Sequence, residues 1–335
     1  MPDASTFRPL DWRDLPLLHR IRGSGLCLDS QLAHTSGPHA LQNALLDVFN
    51  PGRSTLTIVG RVGRQAVVGQ ILHDNSQPHA RLAFIGPAEA VGGPTCETLL
   101  DALAQAAGEH GAHNLIAEVD ERSPAFECLR EAGFAIYARQ RIWRLRDPAG
   151  PTQPEADHVR REPTRPSPSW RAESGADEAP IHFLYVNLVP GLVQQVEPPP
   201  RRTGRGLVYW NGGDLLGYLD VDRGPLGDWI QPYFHPAAEL PDELLKEFMA
   251  RFNPRRRVPL YVCVRSYHGW LRNPLEQLGF EVDGDQAVMV KRLAASVRRP
   301  VLASLPALEG TRPEPTAPFI HMEERTPAAG AGGHT

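Results

Sequence analysis

The sequence predicts an α/β fold with mixed sheets (α+β in arrangement), laid down twice along one chain. Three observations carry this expectation. Short strands and amphipathic helices follow one another in the same order in two segments. The segments keep register: Gly133-Phe134 and Gly279-Phe280 lie 146 residues apart, as do Leu115 and Tyr261, while Gly69 and Gly217 lie 148 apart. A polar, proline-rich stretch divides them. Shared order and shared register together indicate an internal duplication.

Each element has a local reason. In the first segment, "FRPLDWRDLPLLHRI" reads as a short strand and a helix opening near Asp14. "TLTIVGRVGRQAVVGQILHD" alternates apolar and polar residues on both sides of a Gly-Arg-Gln turn, the mark of a hairpin. "ARLAFIGP" is a further strand, and "ETLLDALAQAAGEHG" places apolar residues at helical spacing before stopping at Gly111. "NLIAEVD" is a buried strand, "SPAFECLREAGF" a short helix ended by Gly133, and "AIYARQRIWRL" strand again. The second segment repeats this with "SWRAES", "DEAPIHFLYVNLV", the hairpin "GLVYWNGGDLLGYLDVD", "DWIQPYFHP", "PDELLKEFMARF", "PLYVCV" and "NPLEQLGFEVDGDQAVMVKRL". Asn-Gly-Gly-Asp is a strong hairpin turn because its central glycines accept positive φ.

The expected domains are therefore residues 1–146 and 170–292, two independent folds. Residues 147–169 would be an extended linker and 293–335 a disordered tail, since neither stretch has apolar periodicity to bury. The chain has 335 residues, 41 % of them apolar, which is ample for two cores. Its net charge of −4 offers no electrostatic ground for binding nucleic acid or an anionic membrane. No apolar run reaches the roughly 18 residues that span a bilayer. The start "MPDASTFRPLDWRD" has neither a basic segment nor an apolar one, so no secretory leader is expected. Cys27, Cys96, Cys128 and Cys263 form no CxxC pair and suit no zinc spacing. They read as reduced thiols in a cytoplasmic protein.

The element order, with "SPAFECLREAGF" and "RNPLEQLGF" closing the last helices, resembles the GNAT acyltransferase superfamily over about 280 residues. That resemblance implies an acyl-CoA-dependent N-acyltransferase, with acetyl-CoA as donor and a small-molecule or peptide amine as acceptor. In this family a strand splays from its neighbour and the pantetheine arm pairs with the freed backbone. The pyrophosphate then rests on the next helix N-terminus, where unpaired N–H groups and the helix dipole favour an anion. The family's loop pattern is Arg/Gln-x-x-Gly-x-Gly/Ala, and the matching stretch here is "FIGPAEAVGGPTCETLL".

By this match the cofactor would meet Phe84, Ile85, Val91, Gly92, Gly93 and Thr95. Ala90 or Val91 replaces the Arg/Gln, and Pro94 removes one N–H donor. Gly92 and Gly93 remain, and Thr95 offers a hydroxyl. The second half, "HPAAELPDELL", has no glycine, and its Glu239, Asp242 and Glu243 would repel a pyrophosphate. Activity is thus expected only within residues 1–146.

Family chemistry uses a general base and a Tyr that protonates the leaving thiolate. The Tyr position holds Leu129 or Arg130 in the first half and Leu275 in the second. Glu118, Asp120 and Asp74 remain as candidate bases, and Tyr137 as a substitute acid. The missing Tyr and the eroded loop keep a second reading open: a non-catalytic pseudo-acyltransferase that binds a ligand or a protein. No metal site is expected.

Overall fold

The computed structural model describes residues 6–21, 23–37, 53–62, 65–146, 170–201, 203–238, 241–252 and 258–293. The expected linker 147–169 and the tail beyond Leu293 lie outside them. In the first half, β1 (Thr6–Pro9), α1 (Leu15–Ile21), β2 (Leu26–Cys27), α2 (Ser30–Thr35) and β3 (Arg53–Val62) come first. β4 (Gln65–Asp74), β5 (His79–Gly86), α3 (Pro94–Glu109), β6 (Asn114–Val119), α4 (Pro124–Glu131) and β7 (Ala135–Leu145) complete it. The second half opens with β8 (Trp170–Ala172), α5 (Glu178–Leu188), α6 (Gly191–Gln194), β9 (Leu207–Asn211) and β10 (Asp214–Arg223). It closes with β11 (Asp228–Phe234), α7 (Pro241–Arg251), β12 (Leu260–Arg265), α8 (Arg272–Gln277) and β13 (Glu281–Arg292).

The repeat reaches into side-chain contacts. After β1 a 3-10 turn (Trp12–Asp14) is closed by Asp11 and by Asp14, which accepts the Asp11 amide at 2.9 Å. Arg8 donates two bonds to the same Asp14 carboxylate, at 2.7 and 2.8 Å. After β8 the turn Gly175–Asp177 is built alike, with Arg171 bonded to Asp177 at 2.7 and 2.6 Å. Such bidentate arginine–carboxylate pairs fix geometry as well as charge. Helix ends repeat too. Gly133 and Gly279 stand at φ +85° and +83°, a left-handed backbone that glycine adopts without Cβ strain.

One sheet contains all these strands, in the order β1-β3-β4-β5-β6-β13-β7-β12-β11-β10-β9-β8, with β2 paired to β5. The order is a palindrome whose centre is crossed. β13, the last strand of the second half, pairs with β6 of the first. β7, the last strand of the first half, pairs with β12 of the second. β13 and β7 then pair with each other, with Gln140 opposite Gln286 and its Nε2 donating a hydrogen bond to Gln286 Oε1 at 2.9 Å. Those two glutamines are also 146 residues apart, so the pseudo-twofold axis runs between them. The two halves are therefore not self-contained, unlike the independent folds expected from sequence. Each completes its neighbour's sheet.

Cores follow the same plan. α3 and α4 bury Leu99, Leu100, Leu103 and Leu129 against the first half's strands, joined by Ala287 and Met289 of β13. α7 and α8 bury Leu244, Phe248 and Leu275 against the second half's strands, joined by Trp143 of β7. On the opposite face α5 brings Ile181, Leu184 and Tyr185 to a cluster that includes Ile116, Val288 and Val290.

A protease site introduced between 147 and 169 should therefore nick the chain without parting the halves. The two fragments are expected to co-elute in size-exclusion chromatography without denaturant and to separate in urea. Fragments that separate without urea would contradict the strand exchange.

Candidate functional site

The family's cofactor slot depends on a splay, and both halves have one. β5 and β6 run parallel for three rungs, His79–Asn114, Ala80–Leu115 and Arg81–Ile116, and no rung joins them beyond. β11 and β12 do the same over Asp228–Leu260, Trp229–Tyr261 and Ile230–Val262. Past these rungs the inner edges of β5 and β11 are where a pantetheine arm would pair.

In the first half that edge is already taken. β2 runs antiparallel to β5, Leu26 opposite Ile85 and Cys27 opposite Phe84. The Leu28 amide donates to Ala83 O at 2.9 Å, and the Glu118 amide donates to Leu28 O at 2.8 Å. Residues 26–28 thus bridge the splay from β5 to β6. Gly25 permits the approach, because a Cβ there would lie 1.9 Å from the Phe84 ring and 2.8 Å from Ile85 O. This segment is anchored at its far end by the second half. Gln31 bonds Asp222 at 3.0 Å, His34 reaches Asp283 at 3.0 Å, and the Leu226 amide donates to Thr35 O at 2.9 Å.

The turn before α3 keeps part of a cradle. Gly92 stands at φ +100°, and Gly93 caps α3 with no side-chain bond to its N-terminus. Val91 is half-buried beside it, and Thr95 occupies the first turn. Cys96, in that same turn, forms a disulfide with Cys128 of α4. This corrects the expectation of four reduced thiols: the fold brings two distant cysteines together by packing α3 on α4. The bond ties α3 to α4 beside the cradle. Cys27 and Cys263 are free.

Two of the four candidate catalytic side chains lie in buried polar networks. Arg81 bonds Asp29 at 2.7 Å and Glu118 at 2.9 Å, and Glu118 also accepts the Ser30 amide at 2.8 Å. Burial pushes the Glu118 carboxyl up, but Arg81, Arg265 and the Ser30 amide outweigh it and hold it below its ordinary value. Tyr137 donates to Glu197, which also accepts from Arg265 at 2.6 Å. Burial and the neighbouring Glu197 carboxylate push the Tyr137 phenol well above its ordinary range. Asp120 stands apart at the surface, paired with Arg122 at 3.3 Å. Asp74 pairs with Arg201 at 2.9 Å. A carboxylate locked by arginine and a phenol held by a carboxylate are poorly disposed to move protons. Sequence reasoning missed Arg81, Arg265 and the 26–28 segment. The one signal in the sequence was a glycine, Gly25, ahead of a short apolar run.

In the second half, the His268 ring lies 6.4 Å from that of Tyr233, past the last β11–β12 rung. His268 is 1 % exposed and packs against Tyr233, Tyr267 and Trp270. α7 carries Asp242 and Glu243 in its first turn, while Glu239 lies outside the described residues. Among the described residues no group of three or more His, Cys, Asp or Glu is placed to hold a metal. None of their helices is long and apolar enough to cross a membrane.

These contacts predict structural rather than catalytic effects. Glu118→Gln should destabilise the fold by about 2–3 kcal/mol, below the ~3–5 of a fully buried pair because Arg81 keeps Asp29 and stays partly solvated. A fall in the urea midpoint at constant slope would show it. Reduction of Cys96–Cys128, which closes a 32-residue separation, should cost about 3–4 kcal/mol by chain entropy. Unfolding curves with and without dithiothreitol measure that difference.

No protein-family profile matches the sequence, and no curated protein matches it either. Solved structures do. A tandem GNAT protein from the clavulanic acid biosynthesis pathway, determined without AcCoA, aligns at 16 % identity and a TM-score of 0.52. The match covers 86 % of this chain and 98 % of that one. A GCN5-related N-acetyltransferase from Sphaerobacter thermophilus aligns at 14 % identity and a TM-score of 0.51, covering 87 % and 96 %. With its two splays, its duplicated order and these likenesses, the chain has the tandem GNAT fold.

Proposed function

We propose that this chain is a non-catalytic GNAT-fold protein, a pseudo-acyltransferase that works by binding. One observation carries the reading: residues 26–28 hydrogen-bond the β5 edge that an acyl-CoA pantetheine would need. A backbone amide or carbonyl already paired within a strand ladder is not offered to a ligand without breaking that ladder. The Cys96–Cys128 bond, which ties α3 to α4 beside the cradle, points the same way. The residues present do not fit acetyl-CoA while residues 26–28 hold the β5 edge.

A second reading is favoured by one feature, the left-handed Gly92 and the uncapped start of α3. On that reading residues 1–146 transfer an acyl group from acyl-CoA to a small-molecule or peptide amine. The 26–28 segment would first have to leave the splay. Phe84, Ile85, Val91, Gly92, Gly93 and Thr95 would then hold the cofactor, and Glu118, Asp120 and Tyr137 would be the groups near the reaction.

Calorimetric titration of acetyl-CoA into the full chain separates the two. No binding heat is expected. Saturable binding that Gly93→Asp weakens more than tenfold, about 1.4 kcal/mol, would replace the first reading with the second.

A further inference from the structure

Over the central strands β7 and β13 lies a cavity of about 530 Å³ that contains none of the acyl-CoA positions. Its walls come from both halves, residues 120–122 after β6 and Ser266, Gly269 and Arg272 after β12. The floor includes Arg139, Arg141, Trp143 and Asp285. The site exists because the strands cross: the helices of each half pack on that half, and the exchanged pair runs between them. Its volume falls within the roughly 300–1,000 Å³ usual for small-molecule sites.

The charges around it are arranged in one pattern. Arg139 bonds Glu121 through Nε at 2.6 Å and Nη2 at 3.4 Å. Arg141 bonds Asp285 through Nε at 2.6 Å and Nη2 at 3.0 Å. Arg122 bonds Asp120 through Nε at 3.3 Å and Nη2 at 3.4 Å. Each guanidinium is held along one edge, and each keeps Nη1 without a bond among the described residues. Arg139 and Arg141, two apart on one strand, share a face roughly 7 Å from each other. Arg272 stands on the far wall, bonded to Glu276 at 2.9 Å. Arg265 also borders the cavity, but its guanidinium is bonded to Glu197.

Exposed ion pairs add little to stability, so these four arginines are not explained as a stabilising device. Held in place by carboxylates, they lose little freedom when a ligand arrives, which is what preorganisation means for affinity. Their forks suit an anion with two or more oxygens. Trp143 and Val264 border the inner end but are almost fully buried, so apolar contact falls to the arginine stems. We propose that this seam cavity binds a small organic anion, a carboxylate or phosphate monoester carried on an apolar body. This goes beyond the reading of the two splays and holds whether or not either takes acyl-CoA.

Calorimetric titration of phenyl phosphate and of benzoate into the full chain tests it, with benzyl alcohol as the neutral control. At least one anion should bind, and benzyl alcohol at least tenfold more weakly. Whichever anion binds tells phosphate from carboxylate as the head group. Arg141→Met and Arg139→Met should each weaken binding about tenfold. Gly269→Trp should abolish it, since a Cβ at Gly269 meets no heavy atom within 4 Å and a large ring can enter the space. If Gly269→Trp fails to fold, the arginine variants, at the surface and checked by unfolding curves, carry the test. Absence of binding by both anions, equal binding of benzyl alcohol, or affinities unmoved in the folded variants would overturn the proposal.

Discussion

Everything in this molecule depends on the reciprocal pairing of β13 with β6 and β7 with β12. A sheet edge left open is a row of unpaired donors and acceptors, and here each half closes the other's. The hydrogen bond between Gln140 and Gln286 sits where the two exchanged strands meet. It joins side chains that the duplication made equivalent. The same crossing brings α2 of the first half onto Asp222, Leu226 and Asp283 of the second. So the exchange also holds the 26–28 segment in its splay.

On the proposed reading, that segment shows how a fold can persist while its chemistry is displaced. A splayed parallel pair presents one free edge, and a backbone edge has room for one partner. In the first half the partner is Leu26 to Leu28. Around it the polar groups have turned inward: Glu118 answers Arg81 and Ser30, and Tyr137 answers Glu197. These bonds satisfy one another in a low-dielectric interior, where an unpaired member would be costly. The result reads as architecture, with residues of catalytic type serving as ties between elements.

Much of the fold was legible in the sequence because periodicity and punctuation are local. Gly111, Gly133 and Gly279 stop helices where the chain must turn left-handed, and Asn-Gly-Gly-Asp closes β9 on β10 through Gly212 and Gly213 at positive φ. The exchange of β7 and β13 was not legible. Alternation says which face of a strand is buried but not which strand lies beside it. The Arg8–Asp14 and Arg171–Asp177 clasps were missed because 163 residues separate them while later registers differ by 146. The first half holds more chain between clasp and hairpin, and β2 and α2 fall within it. Cys96 and Cys128 gave no signal either, for their meeting depends on how α3 packs on α4. The candidate site was legible as positions but not as contacts. Nothing near Phe84 in sequence announces that Leu26 to Leu28 will pair there.

The crossed centre also bears on how the chain is made. β6 ends at Val119, and its partner Ala287 arrives about 170 residues later. At the ~5–20 residues per second of synthesis, the first half waits roughly 10–30 s with an unpaired inner edge. Contacts so distant in sequence slow folding and leave apolar strand surface open meanwhile. A nascent chain of this design exposes the kind of surface that holding chaperones bind. It would also be prone to trading strands between neighbouring chains on one message, since a second copy's β13 fits the same gap.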